Sequence, residues 1–165
     1  FLDLLDRHSI EILVDVRSRP VSRYAHFKQN ALWQNLESAG VSYIYHGDSL
    51  GGHPDSEEMY SASGHVVYER IAGTRMFRRG LQDVLELATG TRLTIMCAEH
   101  DPTKCHRHPL LAREFLERDA QVRHILRDGT IQEADALFDN RGALQIPLVE
   151  PPGEDLTWRS PKRIR

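Results

Sequence analysis

The chain has little cysteine, no long apolar run and no excess of basic charge, and each shortage removes a class of protein. Two cysteines, Cys97 and Cys105, are too few among 165 residues for a disulfide-stapled scaffold. They do not form a CxxC pair, so no structural zinc site is expected, and the reducing cytoplasm is the simpler setting for two thiols. The apolar stretches are short, such as residues 12–14 and 93–97, and none approaches the roughly 20 residues that span a bilayer, so no membrane partner is expected. No basic segment followed by an apolar one opens the chain, which gives no sign of a secretory leader. There is no internal repeat, no GxGxxG fingerprint and no Walker loop, so no nucleotide cofactor is expected.

What is present is the composition of a globular protein, 40% hydrophobic and 27% charged, with a mean hydropathy of −0.48. A net charge of −3 and a pI of about 6.3 exclude a uniformly basic nucleic-acid binder but allow a local basic patch. One such patch exists. No carboxylate lies between Asp15 and Glu37, whereas Arg17, Arg19, Arg23 and Lys28 all do. The stretch is either a solvated loop or an anion site.

Helical spacing of Phe1, Leu4, Leu5 and His8 predicts that the chain opens within a helix. Residues 10–16 (IEILVDV) are apolar in near-continuous fashion, the pattern of a buried parallel strand. A loop over 17–27, a helix over 28–39 ended by Gly40, and a second strand over 41–45 follow. Helices are predicted over 66–72 and 76–88, a third strand over 92–97, and a helix from His108 to about Asp119. A fourth strand over 121–126 and a final helix over 130–138 complete the pattern. Alternating strands and helices predict a three-layer α/β domain over residues 1–139, with a mainly parallel sheet of four to five strands and helices on both faces. The proline-rich segment 140–165 reads as an irregular tail. In such folds ligands bind beyond the carboxyl ends of the strands. The unusual residues sit there: Asp15 and Arg17 after strand one, Gly51 and Gly52 after strand two, and Cys97 to Arg107 after strand three.

Cys97, at the end of a buried strand, is either a small core residue or a nucleophile. Cys105, beside His106 and Arg107 near a predicted helix start, has surroundings that favour a thiolate more strongly. His106 could serve as a general base or a donor to an anion, Glu99 as an acid/base or an orienter of an arginine. Arg107 suits a phosphate or carboxylate, or else an ion pair that holds the loop. Cys97, Cys105, His106 and His124 are residue types that zinc accepts, but their spacing matches no tight motif, so no metal is expected. The Gly51-Gly52 pair marks a sharp turn or a close backbone approach.

The runs VDVRSRPVSR (residues 14–23), SLGG (49–52), MCAE (96–99), CHR (105–107) and VRHI (122–125), with Phe27, occur in an order that resembles the domain-of-unknown-function family 488. Members of that family open with a strand and a Gly-His-Ser turn ahead of the first helix, so the resemblance implies a fifth strand where that segment is included. Its motifs fall on Asp15, Arg17, Ser18, Pro20, Ser22, Gly51, Gly52, Cys97, Glu99, Cys105, His106 and Arg107, and Arg23 closes the first run. The order of Asp15-Val16-Arg17 and Cys97 more loosely resembles rhodanese-like domains, although the segment from Cys97 to Pro109 is longer than their active loop and holds a second cysteine. Three functions follow as expectations. The first is an enzyme acting on a phosphate-bearing ligand, a nucleotide or nucleic acid, with Cys97 or Cys105 as nucleophile. In it Glu99 or His106 moves protons, while Asp15, Arg17, Ser18, Ser22, Arg23, Gly51, Gly52 and Arg107 bind. The second is a non-catalytic module binding nucleic acid or an anionic small molecule. The third is a rhodanese-like sulfurtransferase.

Overall fold

The computed structural model describes residues 1–138 together with Trp158 and Ser160; the tail expected over 140–165 otherwise lies outside the described residues. The chain divides into two compact units. One comprises Phe1–Gly52 and Arg75–Ala98, the other His53–Thr74 and the chain from Glu99 onward. In chain order the helices and strands begin with α1 (Leu2–Arg7), β1 (Ile12–Asp15), α2 (Gln29–Ser38), β2 (Ser42–Tyr45) and α3 (Gly47–Leu50). Then come α4 (Tyr68–Ala72), which belongs to the second unit, and α5 (Arg75–Leu87) and β3 (Leu93–Met96), which return to the first.

The first unit is built on a parallel sheet of order β2-β1-β3. Its central strand pairs Leu13 with Tyr43 and Thr94, and Asp15 with Tyr45 and Met96. Leu13 and Val14 point to opposite faces, yet both are fully buried, so both faces of this strand are covered. That is why its sequence is continuously apolar rather than alternating. Leu13 packs with Leu5 of α1, Leu32 and Leu36 of α2, Val41 and Met96. Leu32 and Leu36, four residues apart, share one helix face. Burying each such side chain contributes about 1.5–3 kcal/mol. The helix stops at Gly40, whose φ of +74° is the left-handed conformation that glycine adopts without a Cβ clash. On α5 the buried residues Phe77, Leu81 and Val84 form the apolar stripe, and Gly80 lets Ser49 and Leu50 approach. A Cβ at Gly80 would run into the Ser49 side chain.

The second unit holds α4, a π-helical turn over Arg107–Ala112, α6 (Arg113–Leu116) and an antiparallel hairpin of β4 (Arg123–Ile125) with β5 (Ile131–Glu133). This corrects two expectations. The fourth strand exists, but it pairs antiparallel with β5 in a separate two-stranded sheet, so the parallel sheet has three strands among the described residues. The helix expected over 130–138 is instead β5 and a 3₁₀ turn at Asp135–Leu137. The cause is the Asp128-Gly129 turn. Gly129 takes φ +87°, and the Asp128 carboxylate accepts from the Thr130 amide at 3.0 Å and hydroxyl at 2.7 Å, which reverses the chain. Among the described residues no helix is long and apolar enough to cross a membrane.

Candidate functional site

In the first unit the carboxyl edge of the sheet gathers Asp15, Arg17, Tyr43 and Cys97. Asp15 is fully buried at the end of the central strand. It accepts from Arg17 Nη2 at 2.6 Å, from Arg17 Nε at 2.9 Å, from the Arg17 backbone amide at 3.1 Å and from the Tyr43 hydroxyl at 2.8 Å. Arg17 Nη1 reaches on to the Phe27 carbonyl at 2.8 Å. Burial works against the Arg17 cation, but hydrogen bonding to Asp15 and its charge prevail and raise the guanidinium pKa, with Cys97 adding in the same direction. Burial, reinforced by the hydrogen bond to Asp15, pushes the Tyr43 hydroxyl up. The bidentate pair thus ties the strand end to the following loop. The geometry supports a clamp for Asp15 and Arg17.

The glycines meet that clamp. A Cβ on Gly51 would collide with the Ser18 side chain and the Gly47 carbonyl oxygen, and one on Gly47 with the Arg17 carbonyl oxygen. The Leu50-Gly51-Gly52 segment therefore lies directly on the Arg17-Ser18 backbone, and the close approach expected of Gly51 is to protein. Gly52 is buried. Ser22 accepts from the Tyr24 amide at 3.1 Å, and the Arg23 guanidinium lies 4.9 Å from the centre of the Tyr24 ring.

The second unit carries the other candidates. Asp101 accepts from the Thr103 hydroxyl at 2.7 Å and amide at 3.0 Å, which lowers its pKa and caps the 3₁₀ turn Pro102–Lys104. The turn delivers Cys105, 4% exposed, and His106, 6% exposed. The Cys105 sulfur accepts from Arg107 Nε at 3.4 Å and stands 3.6 Å from His106 Nδ1. Arg107 Nη2 donates to the Glu99 carbonyl oxygen, while the Glu99 side chain is exposed. Cys105, His106 and Arg107 thus form a compact Cys/His/Arg cluster.

The π-helical turn starts at Arg107, with the Leu110 and Leu111 amides both donating to the His106 carbonyl, at 3.1 and 3.0 Å. Such turns are rare and concentrate at functional sites. The turn buries His108 completely. Its Nδ1 lies 3.0 Å from His124 Nε2 on β4, and its ring stacks on Phe138 with centroids 4.2 Å apart. Among the described residues His108 Nε2 has no hydrogen-bond partner. Burial, with the charge of His124, pulls His108 down to about 4; burial, with the Arg107 cation, pulls His124 down to about 4.

Tyr43 and the pairing of His108 with His124 were not anticipated. Tyr43 was legible: it precedes Tyr45 by two in a strand, so it shares a face with the residue beside Asp15. His108, expected only as the start of a helix, left no comparable signal.

The family model for Domain of unknown function DUF488 matches residues 1–113 of the 165. The chain belongs to that family. The DUF488 match takes in the Asp15–Arg17 clamp, Gly51, Cys97 and the Cys105-His106-Arg107 cluster, and it stops before the hairpin that supplies His124. No curated protein and no solved structure matches the chain.

Proposed function

We propose that this chain is a thiol-dependent enzyme acting on a phosphate-bearing ligand, with Cys105 as its nucleophile. One observation carries the reading: the Cys105 sulfur lies within hydrogen-bonding reach of both a guanidinium and an imidazole. A sulfur that accepts from Arg107 is stabilised as thiolate, and His106 Nδ1 is placed to take the thiol proton. As the Cys105 sulfur bonds to phosphorus, the P–O bond to the leaving group breaks and that oxygen takes the proton from His106. Water then cleaves the S–P bond and frees the thiol. The Arg107 charge beside the sulfur favours an incoming anion as well as the thiolate. The Asp15–Arg17 clamp, packed against Ser18 and Gly51, serves in this reading to hold the sheet edge rather than to bind.

The test is the rate of iodoacetamide alkylation between pH 5 and 9 in a Cys97→Ser variant, where Cys105 is the sole thiol. A small reagent is needed because the sulfur is buried. The expected inflection lies below the ordinary thiol value of about 8.5. In Arg107→Ala it should rise by about one unit, as loss of a neighbouring cation requires. A thiol that stays inert to pH 9 when folded, and reacts only on unfolding, overturns the proposal.

A further inference from the structure

The loop after β1 carries a feature that the thiol cluster does not use. Four aromatic rings and a guanidinium run one against the next: Phe1 to Phe27 at 5.2 Å, Phe27 to His26 at 4.6 Å, His26 to Tyr24 at 6.0 Å, and Arg23 over the Tyr24 ring at 4.9 Å. The row is anchored at Phe27, which packs against the core cluster of Leu13, Leu32 and Leu36. The outer end is open, with Tyr24 51% exposed and Arg23 and His26 exposed beside it. The row ends in rings that present their surface to solvent.

Two further observations separate this loop from an ordinary solvated one. Its backbone is held. The Gln29 amide donates to the Pro20 carbonyl at 3.2 Å, closing the loop at its base, and Arg17 Nη1 and the Tyr24 carbonyl bind the Phe27 carbonyl and amide at 2.8 and 3.0 Å. Its charge has one sign. Arg19, Arg23 and Lys28 are exposed, no carboxylate falls between Asp15 and Glu37, and Asp15 is itself buried and neutralised by Arg17. Val21 adds apolar surface to the same loop, 75% exposed. A solvated loop needs cations but gains nothing from exposed, stacked rings.

We infer that the loop over residues 19–28 binds single-stranded nucleic acid, its Tyr24 and His26 rings stacking on bases while Arg19, Arg23 and Lys28 meet the phosphates. Single strands present unstacked bases and a flexible backbone, and aromatic rings interleaved with cations are the surface that takes both. A paired duplex hides its base faces and offers only the phosphates. Arg23 already occupies a ring face, so a planar group is accepted there; on binding, its guanidinium is displaced by a base and turns to the adjacent phosphate. Because the loop is already held in shape, little ordering cost opposes binding. The inference concerns a different surface from Cys105 and stands whether or not that thiol is reactive.

The experiment is fluorescence anisotropy of the full chain with labelled dT and U oligonucleotides of about 20 nucleotides, against a duplex of equal length and against heparin. Binding is read without turnover, so failure of the thiol test leaves it untouched. The expected results are preference for single strands, a loss of about tenfold in Tyr24→Ala and retention within about twofold in Tyr24→Phe. Arg23→Ala should weaken binding and make it less salt-dependent. No binding at low salt overturns the inference. So does equal affinity for duplex and heparin with Tyr24→Ala unchanged, which marks a polyanion surface and nothing more.

Discussion

Asp15 shows how far one buried charge can organise its surroundings. Its carboxylate accepts four groups from Arg17 and Tyr43, and the pair is shut off from solvent at 0% and 6% exposure. Desolvating two ions is costly, so the intact pair is no large net source of stability; breaking it is another matter. Replacing Arg17 with Met strands a buried carboxylate and should cost about 3–5 kcal/mol in urea unfolding. Adding Asp15→Asn to that variant should recover part of the loss, because the stranded charge is gone. Equal stability of Arg17→Met and the parent chain would sink the clamp reading. Sequence placed Asp15 and Arg17 together at a strand end and set both among the ligand-binding residues, since a ligand site and an ion pair use the same residues at the same spacing. The choice rests on Tyr43 and the Phe27 carbonyl, which reach the pair only through tertiary structure.

At the scale of elements, legibility followed the strength of local pattern. The strand Ile12–Asp15 and the helix Gln29–Ser38 announced themselves through a continuous aliphatic run and a stripe of spacing four, ended by a glycine. The segment after residue 120 did so only in part, since β4 was expected but β5 was read as part of a helix. Its strands are three residues each, too short for a period to declare itself, and the Asp128-Gly129 turn that joins them was the signal to weigh. The Gly51 turn falls between these cases. Its φ of −69° and ψ of 147° suit any residue, so backbone freedom does not require glycine there. What requires it is the Ser18 side chain and the Gly47 carbonyl, which leave no room for a Cβ. Gly51→Ala should therefore lower stability by about 1–3 kcal/mol through overpacking. Trimming the neighbour in Gly51→Ala/Ser18→Gly should relieve part of that loss. A Gly51→Ala protein with an unchanged unfolding midpoint would show that the two segments part easily.

For the molecule as a whole, the histidines of the second unit set a dependence of stability on pH. His108 and His124 share a hydrogen bond, lie within or near the apolar interior and are both held near 4 by burial, against about 6.5 for an unfolded histidine. Between those two values the unfolded chain binds protons that the folded chain refuses. Stability is therefore fully present above pH 6.5 and falls as the pH drops toward 4. One such histidine costs about 2 kcal/mol between pH 7 and pH 5. Urea midpoints measured across that interval should fall on acidification, and His108→Phe, which keeps an aromatic ring against Phe138, should flatten the slope. A slope that His108→Phe leaves unaltered would assign the acid sensitivity to other groups. The same variant bears on the thiol cluster, because His124 feels both Arg107 and Cys105. The family match ends at residue 113, so His108 lies inside it while its partner on the hairpin lies beyond. If the pair sets the conditions under which Cys105 works, His108→Phe should also shift the pH profile of Cys105 alkylation. If it serves only to fill the interior, the unfolding slope should change while the alkylation profile stays where it was.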